Sequence, residues 1–266
     1  MPVAIDTVGF AATNPGASPA AGNATVNAGD SATIRAFQPS GQAYIDFMVR
    51  QGASEGFIEL RSPRLADNVR GLHLITTETP AVLLLPQEVG QPVYPADALT
   101  VTISGGGAEV DCGAFGVYYT DLGGSNAVVH NWSEIRPSVA NLKPMEVDFT
   151  STVGGVWLDT VITTTENLLK ANLWYAVLGY ISDGALTAVG LKGPETGNYR
   201  LCGPGPTTTF RTDEYFIWMG ERHGRPYIPC FNANNRGNLF VSAMAVAAAA
   251  TKVTLILAEL APSFAP

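Results

Sequence analysis

One stretch of this chain occurs twice, and that repetition constrains the fold more than any other feature. Leu83-Leu84-Leu85-Pro86-Gln87-Glu88-Val89-Gly90-Gln91-Pro92-Val93-Tyr94-Pro95 is echoed by Ile217-Trp218-Met219-Gly220-Glu221-Arg222-His223-Gly224-Arg225-Pro226-Tyr227-Ile228-Pro229, 134 residues later (217 − 83). Three apolar residues lead into each copy, and a Gly-x-Pro-x-x-Pro turn follows at the same distance. Gly90 and Gly224 can adopt positive φ, while each proline fixes φ at about −65° and cannot donate to a ladder. Each copy therefore reads as a strand, a stiff turn and a new strand.

The echo continues on both sides. Residues 99–103 correspond to 239–243 at an offset of 140, and residues 117–122 to 255–260 at 138. Upstream, Ile45-Asp46-Phe47 matches Val147-Asp148-Phe149 at 102, and Asn68 matches Asn172 at 104. The order predicts two tandem copies of one β unit. The shorter upstream offsets place about 30 extra residues (134 − 104) in the second copy, around residues 186–211.

Composition suits such a chain. Its 266 residues are 46% hydrophobic and only 14% charged, enough to fill a large core and few enough to suggest a surface covered in part by other copies or partners. Net charge is −8, all of it in residues 1–135 (5 basic, 13 acidic), while residues 136–266 balance at 10 and 10. An acidic chain is a poor general ligand for nucleic acid, so no specific nucleic-acid binding is expected. The three cysteines, Cys112, Cys202 and Cys230, are odd in number and widely spaced, which predicts buried free thiols. No charged n-region precedes an apolar run at the start, and the longest apolar stretch, residues 239–250, is too short to span a bilayer as a helix.

Residues 1–29, rich in Ala, Gly, Asn, Pro and Ser, read as a flexible arm. Strands are expected at 32–37, 43–49, 57–61, 69–76, 81–85, 99–104 and 110–122, giving a first unit over residues 30–125. Residues 126–144 read as a linker and residues 145–266 as the second unit, with strands at 173–181, 185–191, 199–202, 215–219, 227–231, 239–246 and 253–260. A single short helix is expected at 165–171, capped by Thr165. Short strands separated by turn chemistry predict an all-β sandwich or barrel.

Catalytic patterns are scarce. His73, His130 and His223 fall in different segments, at most one per barrel, short of a metal set. No Gly-x-Ser-x-Gly occurs, and Gly105-Gly106-Gly107 lacks the context of a phosphate loop. The pairs Glu109/Asp111 and Asp213/Glu214 read first as solvated faces rather than a glycosidase pair. Trp132, Trp157, Trp174 and Trp218 could line a sugar-binding surface, though Trp174 and Trp218 sit in apolar runs that favour packing. Asn23 and Asn131 open glycosylation triplets. No catalytic, cofactor-binding or metal-binding residue is assigned, and the chain is not expected to be an enzyme.

A low-charge, His-poor, duplicated β chain with an N-terminal arm resembles the double jelly-roll major capsid proteins of tailless icosahedral viruses and phages. The resemblance covers roughly residues 30–262 and rests on architecture rather than on a diagnostic motif. It implies two tandem eight-stranded jelly-roll barrels, three chains forming a pseudo-hexameric homotrimer, and a place in the virion capsid. The implied partners are neighbouring capsomers, a vertex protein and, in members that contain one, an internal membrane. A two-domain β-sandwich binding glycans or a receptor, through Trp132 or residues 193–206, is the alternative.

Overall fold

The computed structural model describes residues 3–13, 22–52, 55–65, 71–76, 81–85, 90–105, 110–122, 129–149, 153–162, 169–182, 186–206 and 210–264. The first half contributes β1 (Ala4–Thr13), β2 (Gly22–Asn23), β3 (Thr25–Val26), β4 (Ala43–Gln51), β5 (Gly56–Arg61), β6 (Leu72–Thr76), β7 (Ala81–Leu84), β8 (Gln91–Val93), β9 (Thr100–Ser104) and β10 (Val110–Tyr119). The second half contributes β11 (Val129–His130), α1 (Trp132–Ile135), β12 (Val139–Phe149), β13 (Trp157–Val161), β14 (Trp174–Ser182), β15 (Leu186–Lys192), β16 (Arg200–Pro204), α2 (Tyr215–His223), β17 (Ile228–Asn232), β18 (Phe240–Ala245) and β19 (Thr251–Leu260).

Pairing is nested within each half. In the first, β1 pairs with β10, β2 with β9, β4 with β7 and β8, and β5 with β6. In the second, β12 pairs with β19, β13 with β18, β14 with β17, and β15 with β16. The result is four sheets: A (β2-β9-β5-β6), B (β3-β1-β10-β4-β7, with β8 also on β4), C (β13-β18-β15-β16) and D (β11-β17-β14-β19-β12). Sheets A and B enclose one core, with Val8, Phe10, Ile45, Met48, Ile58, Leu60, Ile103 and Phe115. Sheets C and D enclose a second, with Val147, Phe149, Val177, Val189, Leu201, Val241 and Leu255. A third, smaller cluster of Phe47, Val49, Ala114, Trp157, Ala188, Cys202 and Met244 joins B to C. The layers therefore stack A-B-C-D, and alternate residues of β4 serve two different cores, as the two-residue period of a strand requires.

Each half carries a bulge on the strand beside its last strand. Asp46 is the extra residue of β4 opposite Gly116/Val117, and Leu178 is the extra residue of β14 opposite Ile256/Leu257. A bulge shifts the side-chain alternation by one and strengthens local twist. Here it lets Ile45 face the first core while Phe47 faces the seam between halves.

The echoed turn is present with its expected backbone. Gly90 and Gly224 have φ of 57° and 59°, and each leads into a strand, β8 or β17, that pairs with β4 or β14. The lead-in differs. Residues 81–84 form strand β7, whereas residues 215–223, expected in part as a strand, form helix α2. Tyr215, Phe216, Met219 and His223 are its buried residues, a helical rather than an alternating spacing, and Gly224 caps it in the left-handed conformation.

Several expectations are corrected. Residues 1–29 are not a flexible arm over their described part. β1 lies between β10 and β3, with ten paired positions running from Ala4↔Tyr119 to Thr13↔Val110, and it is buried from Ala4 to Phe10. Residues 32–37 form no strand. They hold on through the bridge Thr33↔Ala98 and three backbone bonds, from Ile34 N to Asp97 O (2.8 Å), Ala96 N to Ile34 O (2.9 Å) and Leu99 N to Ala32 O (3.0 Å). The second half does not begin at 145, because β12 starts at Val139 and the segment before it already contains β11 and α1. The insertion of about 30 residues is also absent. Strand starts differ by 135 for β1/β12 (139 − 4), 131 for β4/β14 (174 − 43), 130 for β5/β15 (186 − 56) and 140 for β9/β18 (240 − 100). Val147-Asp148-Phe149 lies on β12, which pairs with the last strand of its half as β1 does, so Ile45-Asp46-Phe47 of β4 is not its counterpart. Asn68 and most of the helix expected at 165–171 lie outside the described residues.

Gly9 shows why β1 admits so little substitution. A Cβ there would fall 2.5 Å from Trp157 Nε1 and 2.8 Å from Asn27 Nδ2. We expect Gly9→Ala to cost about 1–3 kcal/mol by overpacking, read as a lower urea midpoint with an unchanged m-value. Deleting residues 1–13 should abolish cooperative unfolding rather than trim a dispensable tail, and a deletion variant with a native-like melt would refute this placement.

Candidate functional site

No cluster of catalytic type is found among the described residues, and the polar chemistry concentrates in the seam between sheets B and C. Thr7 on β1 donates its hydroxyl to the Cys202 carbonyl (3.1 Å) and accepts the Cys202 N–H (3.1 Å). Asp30 accepts from Gly9 N (2.8 Å) and Trp157 Nε1 (2.7 Å). Arg200 lies 3.8 Å from Asp30 and 3.0 Å from Asp159, with its guanidinium 5.1 Å from the Trp157 ring centre. Ser242 donates to Asp159 (2.7 Å). Thr187 donates to Gln51 (2.8 Å), which leaves the Cys112 thiol to donate to Thr187 (2.9 Å). Most of these polar groups thus have a partner from the other half, while Asp159 and Ser242 are paired within the second.

A second part of the seam forms around the turn after α2. Tyr118 stacks on Tyr227 at 5.8 Å and donates to the Pro226 carbonyl (3.1 Å). Arg225 lies 4.4 Å from the Tyr44 ring centre and 5.1 Å from that of Tyr118, and Arg222 donates to the Leu85 carbonyl (3.3 Å). Asp46, the bulge residue of β4, is fully buried here, and neither carboxylate oxygen has a hydrogen-bond partner among the described residues. Burial pushes its carboxyl up to about 7, against the opposing pull of Arg225. His223 is buried in the last turn of α2. Desolvation, with Arg225 and Arg222 nearby, holds its imidazole down at about 4, so it is neutral at pH 7.

The residues singled out in the sequence are dispersed. His73 contacts Glu59 (2.8 Å) and stacks on Phe57 (4.7 Å) on the outer face of sheet A. His130 lies 3.5 Å from Glu134 beside Phe264. Among the described residues, no group of three or more His, Cys, Asp or Glu is placed to hold a metal ion. All three cysteines are free and buried, and burial raises their thiols, Cys112 to about 12. Glu109 lies outside the described residues, as do Gly106 and Gly107, while Asp111 forms a buried ion pair with Arg50 (2.8 Å). Asp213 pairs with Arg211. Glu214 is the N-cap residue of α2, and both acids line one open pocket with Phe210, Arg211 and Trp218. Trp157 is in the seam, and Trp174 packs against the second core. Trp132 is half-buried at a shallow cleft with Arg136 and Glu221. Trp218 is the most exposed of the four, edge-on to Phe210 at 5.9 Å. Asn23 pairs within β2, and Asn131 caps α1. Residues 193–206 are largely buried as a 3-10 turn and β16, so they offer no open binding loop.

The two outermost faces are chemically mixed. On sheet A, Glu59 holds His73, accepts from Thr102 (3.1 Å) and lies 3.8 Å from Arg61, with Ile75 exposed beside them. On sheet D, Leu142 and Ile181 are exposed, and Lys252 bridges Glu146 (2.6 Å) and Asp148 (3.6 Å). Sequence periodicity showed which residues face outward here, but not which face stays open.

No family model and no curated protein matches the chain. Three solved structures overlap it loosely. One, described under the triple jelly-roll fold and turret assembly of an archaeal virus, is 9% identical, with a TM-score of 0.23, over 98% of this chain and 80% of that one. The major capsid protein P2 of bacteriophage PM2 is 8% identical, with a TM-score of 0.24, over 96% and 97%. The STIV major capsid protein is 6% identical, with a TM-score of 0.21, over 98% of each chain. Overlaps this loose carry no inference on their own.

Asp46 in the seam and Arg50, which lies between sheets A and B, give measurable expectations. Asp46 is raised in the folded protein from 3.8 to about 7, so the fold holds a proton that the unfolded chain releases above 3.8. Stability from this group is full below about pH 4 and is lost as pH rises to about 7. Asp46→Asn should therefore leave stability near pH 4 little changed and raise it at pH 8, by on the order of 2–4 kcal/mol. Identical pH profiles for the two proteins would contradict the burial of this carboxyl. Arg50→Met should cost about 3–5 kcal/mol by leaving Asp111 charged and buried, measured by denaturant unfolding.

Proposed function

We propose that this chain is a structural virion protein, a major capsid protein built as a double jelly roll. Nested pairing carries the reading. If the eight principal strands of each half are lettered B to I in chain order, β7 and β8 sharing one letter, sheets B and D run B-I-D-G and sheets A and C run C-H-E-F. That is one long hairpin rolled into two four-stranded sheets, the arrangement of a jelly roll. The chain holds two such units face to face in four layers, with a polar network and a small apolar cluster between them. The units begin at β1 and near β12, and the segment holding β11 and α1 joins them.

A tandem pair of like barrels gives a trimer six similar lobes, so three chains can occupy a sixfold lattice site. The partners are then further copies of the chain, with a vertex protein where the lattice closes and, in a virion that has one, a membrane beneath. Catalysis has no part in this reading. The seam's polar groups bind the two halves to each other.

The test is mass in solution followed by electron microscopy. The monomer is 28.0 kDa, so a trimer is 84 kDa (3 × 28.0). We expect light scattering to show the trimer at micromolar protein and micrographs to show hexagonal capsomers or shells. A monodisperse monomer at high concentration would overturn the proposal.

A further inference from the structure

The start of α2 borders an open cleft that the seam does not use. Phe210, Arg211, Asp213, Glu214 and Trp218 line a hollow of about 330 Å³, at the small end of the range for small-molecule sites. Its wall is aromatic. Trp218 is 38% exposed. Phe210 meets it edge-on at 5.9 Å and packs against the buried Tyr215 ring at 6.2 Å. Arg222 stands 5.3 Å from the Trp218 ring centre and is itself held by the Leu85 carbonyl (3.3 Å). The indole is thus fixed by two neighbours while part of it stays open to the cleft.

The rim is polar and held in place. Arg211 donates from Nε to one Asp213 carboxylate oxygen (3.1 Å) and from a terminal nitrogen to the other. This fork keeps both groups in one plane. The same hydrogen bonds hold the Asp213 carboxyl below its ordinary value, so it is an anion at neutral pH. Thr212, between the two, donates to the Tyr180 carbonyl (2.6 Å), and its own carbonyl accepts from Tyr180 N (2.9 Å). Gly179 of β14 permits that approach, since a Cβ there would fall 2.3 Å from the Thr212 carbonyl oxygen. A rim fixed in advance avoids the ordering cost of binding.

Charge selects the class of ligand. Asp213 and Glu214 stand against Arg211 at the rim and Arg222 on the ring, so acids and bases balance (2 − 2 = 0). No surplus positive charge draws in a phosphate, and Arg222 already engages Trp218 as a cationic ligand would. An aromatic face with its negative quadrupole remains, beside a planar set of donors and acceptors. A pyranose ring is complementary to both, with weakly positive C–H groups on one face and adjacent hydroxyls that each donate and accept. We propose that this cleft binds a neutral sugar residue of a glycan, stacked on Trp218 with neighbouring hydroxyls on the Arg211–Asp213 pair. The site needs only one chain, so it stands whatever the oligomeric state.

The test uses the full chain and immobilised trisaccharides of glucose, galactose, mannose and N-acetylglucosamine, beside sialylated and sulfated counterparts and choline. The tightest binder is then titrated calorimetrically. We expect a neutral sugar to bind, and an added sialic acid or sulfate, which brings an anion beside Asp213 and Glu214, to weaken it about tenfold or more. Trp218→Ala should weaken binding about tenfold or more, with Trp218→Tyr restoring most of it. Arg211→Ala changes a mostly exposed side chain and should also cost about tenfold, with an unaltered melting transition. Trp132→Phe, in the separate cleft beside Glu221, should leave the affinity unchanged. Retention of no neutral sugar, a preference for the charged ligands, or affinity that survives both Trp218→Ala and Arg211→Ala would overturn the site. So would affinity lost on Trp132→Phe alone.

Discussion

The close approach of sheets B and C is the constraint on which the rest of the molecule depends. Two sheets can pack at seam distance only where the facing side chains are small or matched. β1 presents Thr7 and Gly9 to the second half, and β10 presents Ala114 and Gly116. The larger groups come from the other side, with Trp157 lying directly over Gly9. Because both faces of sheet B are then buried, its strands need two sets of core residues. β4 supplies them by shifting its alternation at Asp46. The same bulge leaves a carboxyl inside the protein, so the packing solution and the ionisation problem arise at one residue.

That arrangement sets opposing pH demands on neighbouring parts of the seam. His223 is held neutral with a value near 4, so it weakens the fold as pH falls from 6.5 toward 4, when the unfolded chain gains a proton the folded chain refuses. Asp46 acts in the other direction, weakening the fold as pH rises toward 7. Glu259, in the second half, accepts from Lys170 (2.8 Å) and lies 3.2 Å from Lys143, which brings its carboxyl down to about 2 despite burial. Its contribution is lost only in strong acid. Between about pH 4 and 6.5 the Asp46 and His223 effects oppose each other and largely cancel, so the seam's pH response is flat there although each buried group alone would tilt it.

Much of the fold was legible in the residues, and the misses have physical causes. The Gly-x-Pro-x-x-Pro turns announced positive φ at Gly90 and Gly224, which both glycines adopt. Strands β4, β5, β9, β10, β14 and β15 fell where apolar runs ended in turn residues. β1 was missed because burial on both faces removes the polar-apolar alternation that marks a half-buried strand. Its small seam residues also resemble the composition of a loose arm. α2 was missed because Tyr215-Phe216-Ile217-Trp218-Met219 has strand propensity, and only the wider spacing through His223 with the Gly224 stop reveals a helix. The spurious insertion came from matching Ile45-Asp46-Phe47 to a strand that answers to β1. An apolar-Asp-Phe triplet repeats too easily to fix register alone, whereas the nested pairing fixes it throughout.

The two halves differ most where their surroundings differ. The inward residues of β1 and β12 remain alike, Val8 and Phe10 against Val147 and Phe149, because each fills the centre of a sandwich. Their outward residues do not. Thr7 and Gly9 of β1 are buried in the seam, whereas β12 presents Glu146 and Asp148 to water. A face that is never exposed can be small and nearly neutral. A face open to water carries charge, here paired with Lys252. The same logic accounts for His73 and Glu59 standing where Cys202 and Gly190 lie in the closed seam. The two halves share their strand pairing and an apolar interior, while their outward faces differ according to whether the other half covers them.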